Sequence, residues 1–171
     1  MKPMFASALS LALLSSAVAA RLPTNLEPFK TGHVCVGRAE IQVRGKADDK
    51  LGQMAQDTLT KLAASLKLNE SGESYTACPA WLSFHAESGN DADGKLVYAS
   101  TLSLVTPKVQ AKALGNLKDE TFDYDGDFEY VTLWSETGYN TAATLDNLSF
   151  KLRADLVAQM GDFSADWKKA H

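Results

Sequence analysis

Cysteine is scarce in this chain of 171 residues: there are 2, too few for a disulfide-dense miniature scaffold. Proline is nearly as sparse, at 5, and no collagen-like period or low-complexity tract is present beyond the first twenty residues. The 3 histidines, His33, His85 and His171, offer little for a zinc site, which needs three or four converging nitrogen or sulfur ligands. Positive charge is not in excess either. With 17 Lys+Arg against 21 Asp+Glu the chain carries −4, which excludes a binder that works by neutralising nucleic-acid phosphates. After residue 20 no apolar run approaches the roughly 20 residues that span a bilayer. Also missing are the G-x-S-x-G elbow, the H-E-x-x-H pair, the phosphate-binding P-loop and the glycine-rich dinucleotide fingerprint.

The first twenty residues read as an address rather than as structure. Lys2 supplies a positive start, residues 4–18 are a short apolar stretch, and Ala17-Val18-Ala19 has the A-x-A form of a signal-peptidase site. The expectation is a cleaved signal peptide over 1–20, with an uncleaved anchor as its alternative. Cleavage leaves 16 basic and 21 acidic residues, or −5. The mature protein is then periplasmic or extracellular, with no transmembrane segment. Export places Cys35 and Cys78 in an oxidising compartment, where two thiols 43 positions apart and without C-x-x-C spacing are expected to form a structural disulfide.

The remaining length suits one domain, residues 33–171, preceded by an extended arm over 21–32 that carries Pro23, Pro28 and no periodicity. Residues 34–44 alternate as a strand, and Gly37 marks a bulge within it. Asp48 or Asp49 caps a helix whose stripe is Leu51, Met54, Ala55, Leu59, Leu62 and Leu66. Residues 80–87 alternate again, with Leu82, Phe84 and Ala86 on one face and Trp81, Ser83 and His85 on the other. Asp93-Gly94 signals a hairpin into a strand over 96–105 that Pro107 stops. Residues 108–121 read as a loop or short helix, and 128–135 as a fourth strand. A last helix, capped by Thr141 or Thr144, carries Leu145, Leu148, Leu152, Leu156, Met160, Phe163 and Trp167 at spacings of three and four. The order is β-α-β-β-β-α. Two one-sided helices over a roughly four-stranded sheet give a two-layer α+β sandwich, with both helices on one sheet face.

Three surfaces are candidates for function. The uncovered sheet face would present Trp81 and His85, with Tyr130, Trp134 and, in one of the two hairpin registers, Tyr98, as an aromatic platform for a partner, unless the rings pair across strands or the arm lies over them. On the last helix, Ala143, Phe150, Ala154, Val157 and Gly161 fall opposite the core stripe and form a narrow ridge suited to another helix, a homodimer included. The third is an acidic run in which Asp123, Asp125, Asp127 and Glu129 alternate with aromatics around Gly126. As a continuous strand it would line four carboxylates on one face and invite Ca²⁺. As a hairpin at Asp125-Gly126 it would be solvated charge. No other cofactor is implied, and the run lacks the spacing of an EF-hand loop.

Ser83 and His85 share a strand face, but at roughly 6–7 Å, too far for a nucleophile and its base. Two sequons, at Asn69 and Asn147, are expected to stay unmodified. The reading that follows is an exported, non-enzymatic binding or assembly module whose partner is an envelope or secreted protein. Its alternatives are a small secreted hydrolase using His85 and a calcium-responsive surface or stability protein.

Overall fold

The computed structural model describes residues 21–69, 78–110 and 127–171, without the side chains of 110, 127 and 128. Its order is β1 (Val34–Val43), β2 (Lys46–Ala47), α1 (Asp49–Ser65), β3 (Ala80–Asn90), β4 (Leu96–Gln110), β5 (Asp127–Ala142) and α2 (Leu145–Ala170). The sheet runs β2-β1-β3-β4-β5. β1 and β3 are parallel, so the chain must cross over between them, and α1 is that crossover. The other neighbours are antiparallel. This is the expected α+β sandwich, with five strands rather than four.

Local chemistry accounts for most element boundaries. Asp48 caps α1 by accepting a hydrogen bond from the Leu51 amide at 3.0 Å. Thr144 does the same for α2 through the Asn147 amide. The extra strand arises because Arg44 and Gly45 both take positive φ (54° and 72°), which turns the chain back on β1 as a tight hairpin. At the β3–β4 turn the Asp91 carboxylate accepts from the amides of Asp93 and Lys95, and Gly94 takes φ 79°. Gly37 sits where the β1–β3 register shifts between Val36 and Ala39, and a Cβ there would overlap the Ser83 hydroxyl. The glycine therefore permits the bulge.

Pro107 does not end β4, as the sequence suggests it should. It lies past the last β3 pair, Trp81 with Val105, in a stretch paired with β5 alone, so its missing N–H costs no ladder bond to β3. Residues 108–110 therefore continue the strand rather than begin a loop. β5 also outruns the expected 128–135, because the whole segment up to Ala142 pairs with β4 back to Leu96.

Both helices cover one sheet face. Leu51, Ala55, Leu59 and Ala63 of α1, and Leu148, Leu152, Leu156, Met160, Phe163 and Trp167 of α2, are buried against Val36, Ile41, Leu82, Phe84, Leu102, Leu104 and Trp134. Leu145 begins the predicted stripe but is half exposed. The Cys35–Cys78 disulfide ties the start of β1 to the residue pair that leads into β3.

The arm is not extended: Pro23–Asn25 and Thr31–His33 form single 3-10 turns. Nor does it lie over the open sheet face. Leu26 is fully buried in the core, and the arm packs along α2 and β5. Its anchor is a buried carboxylate. Asp166 Oδ2 accepts from Trp134 Nε1 at 3.1 Å and Arg21 Nε at 3.2 Å, while Lys169 Nζ donates to Oδ1 at 3.1 Å. Arg21 also reaches Glu136 and Asp162 at 3.3 Å each. The Trp134 ring meets Phe163 edge-on, with centroids 5.1 Å apart. Burial opposes ionisation of Asp166, but the hydrogen bonds from Trp134, Lys169 and Arg21 outweigh it and hold the carboxyl below the ordinary carboxylate range.

Two outcomes are expected. Replacing both cysteines by alanine should lower unfolding free energy by about 4 kcal/mol, the chain-entropy value for a loop of this length, measured by urea titration under non-reducing conditions. Because Asp166 has a lowered folded-state pKa, its contribution is complete above the ordinary carboxylate value and is lost as pH falls through the folded one. Asp166→Asn should therefore cost about 2–3 kcal/mol at pH 7 and progressively less below about pH 4, read from denaturation curves across that range.

Candidate functional site

Strand alternation and register build the open sheet face row by row. Inward residues of β3 and β4, Leu82, Phe84 and Ala86 with Leu102 and Leu104, are buried, so their neighbours point away from the helices. Across β3, β4 and β5 the outward rows are Trp81–Val105–Thr132, Ser83–Ser103–Ser135, His85–Thr101–Thr137 and Glu87–Ala99–Tyr139. β1 adds Glu40 beside His85 and Gln42 beside Glu87. The middle of the face is a band of hydroxyls, in which the Thr101 and Thr137 side chains bond each other at 2.9 Å. Around Tyr139, which is 82% exposed, a shallow depression of about 720 Å³ is lined by Arg44, Glu87, Gly89, Val97 and Ala99 among others. No described element lies over these rows.

The expected platform is only partly assembled. Trp81 and His85 do face outward, Trp81 half-buried and His85 exposed. Tyr130 is 71% exposed and takes φ 54°, in the left-handed region. Trp134 is not on this face; it is fully buried under α2. The reason is a bulge. Leu104 pairs with Trp134 but Val105 pairs with Thr132, so Leu133 is an extra residue that reverses the alternation between Tyr130 and Trp134.

Tyr98 also points inward. Its hydroxyl donates to Asp155 Oδ2 at 2.7 Å, and burial together with that carboxylate pushes its pKa well above the ordinary phenol range. Asp155 accepts from the Ser100 hydroxyl as well, and Gln159 Nε2 donates to the Ser100 carbonyl at 3.0 Å. These polar groups sit between α2 and β4 at helix positions adjoining the apolar stripe. Their sequence signal was a polar residue at a core position, at 155, 159 and 166.

On α2, Phe150 is 73% and Val157 49% exposed, and Ala154 and Gly161 are exposed with them; Ala143, also expected on the ridge, precedes the Thr144 cap and lies outside the helix. The acidic run is another matter. Asp123 and Asp125 lie outside the described residues, as does the side chain of Asp127, while Glu129 is exposed on β5 opposite Lys108. The calcium reading thus lies outside what the structure describes. Among the described residues no three His, Cys, Asp or Glu side chains come together as a metal site. Within the same residues no hydrogen bond links Ser83 to His85, and no helix is long and apolar enough to cross a membrane.

No protein-family model matches this chain, and no curated protein does. Among solved structures it is similar to a PelC dodecamer from Paraburkholderia phytofirmans, at 17% identity and a TM-score of 0.40, covering 77% of this chain and 91% of that one. A likeness this slight carries no argument about function.

Proposed function

We propose that the protein is an exported, non-enzymatic binding or assembly module whose open sheet face meets an envelope or secreted protein. The observation that carries the reading is one-sidedness. Both helices and the arm pack on one face of the sheet, while the described part of the other face holds hydroxyls, a depression and exposed aromatic rings. Aromatic side chains supply large contact area at low entropy cost, and surrounding hydroxyls supply hydrogen bonds, a combination suited to a polar protein surface. Export rests on the residues of the leader and on the disulfide, a bond that persists in oxidising compartments.

The test uses the purified mature chain as bait in an envelope extract, beside a Tyr139→Ala/Thr137→Arg variant. Both substituted side chains are exposed, so the variant should melt like the wild type. It should retain at least tenfold less of any captured protein, the effect of losing an aromatic anchor worth about 1.4 kcal/mol or more. Equal capture by both forms removes the sheet face from the proposal. Turnover in a panel of ester, peptide and glycoside substrates, lost in a folded His85→Ala variant, replaces the binding module with a hydrolase.

A further inference from the structure

Gly161 lies in the interior of α2, where glycine is the poorest helix former after proline. Among the described residues nothing in the packing calls for it. Its φ is not positive, it is exposed, and a Cβ built on it meets none of their atoms within 4 Å. One face of the same helix carries Phe150, Ala154, Val157 and Gly161, spaced four, three and four residues apart. Those spacings average about 3.7 residues, close to the 3.6-residue helical repeat, and so keep all four within one narrow stripe. Large and small residues alternate along it.

We infer that this stripe is the contact through which two copies of the chain associate, their α2 helices antiparallel, with Gly161 as the notch that receives the second copy's Phe150. The same register sets each Val157 over the second copy's Ala154, so both large residues meet small ones. It also brings each exposed Asp146, in the first turn of α2, to within about one turn of the second copy's Lys168, in the last. The charge pattern is therefore self-complementary under a two-fold axis between Ala154 and Val157, and the antiparallel arrangement opposes the two helix dipoles. A parallel pair would place Asp146 against Asp146 and Lys168 against Lys168. A single helix pair is at the small end of specific interfaces, so association in the micromolar range is expected. This surface is opposite the one on which the proposed function rests, and either can fail alone.

The experiment is sedimentation equilibrium of the mature chain from micromolar to near-millimolar concentration, beside melting curves. Wild type should dimerise. Gly161→Leu should weaken the dimer at least tenfold while raising the melting temperature of the dilute monomer by about 2–4 °C, because leucine is the better helix former. A merely structural glycine would give no such opposition. A Phe150→Cys/Gly161→Cys double variant should cross-link between copies in oxidising buffer, and Phe150→Cys alone should not. A wild-type chain that stays monomeric near millimolar concentration overturns the inference. So does a dimer indifferent to Gly161→Leu, or cross-linking as strong with Phe150→Cys alone.

Discussion

A single buried carboxylate holds three distant parts of this chain in register. Asp166 lies on the core side of α2, yet its two oxygens collect donors from β5, from the arm and from its own helix. A buried charge is tolerated only when it is paired and fully hydrogen-bonded. That requirement fixes where Trp134 must point, how deep α2 sits on the sheet, and where Arg21 must lie. The orientation of Trp134 in turn depends on the extra residue at Leu133. Electrostatics at one residue and a strand irregularity at another are thus parts of one arrangement.

Much of the frame was legible from the residues. The Asp48-Asp49 pair announced the start of α1, the three-and-four spacing of leucines announced the buried faces of both helices, and Asp93-Gly94 announced the hairpin. Gly37 was read as a bulge, which is how it appears. These features are local or periodic, so a linear pattern carries them. The α+β sandwich with both helices on one face followed from two one-sided stripes needing a common surface.

What the pattern did not carry was non-local. Alternation from Tyr130 to Trp134 predicts a shared face. The bulge at Leu133 is set by how β5 must pass both Leu104 and Val105, and by the reach of Trp134 to a carboxylate on another element. Pro107 looked like a stop because its partner strands were unknown; where β3 has already ended, proline in β4 costs little. Tyr98 was placed on either face, since hairpin register decides it, and Asp155 on α2 settles the matter. The arm looked extended because one buried residue, Leu26, makes no period. Of the candidate site, Trp81, His85, Tyr130, Phe150 and Val157 face solvent in whole or in part.

β5 is a long border strand, and such strands invite pairing with a neighbouring molecule. Two side chains from elsewhere close on its main chain: Asn25 donates to the Leu133 carbonyl and Lys151 to the Thr141 carbonyl. These contacts interrupt the border at two points, one on each side of residues 134–140. The molecule thereby gains some protection against growing sideways into ribbons, which would otherwise extend the sheet from one copy to the next.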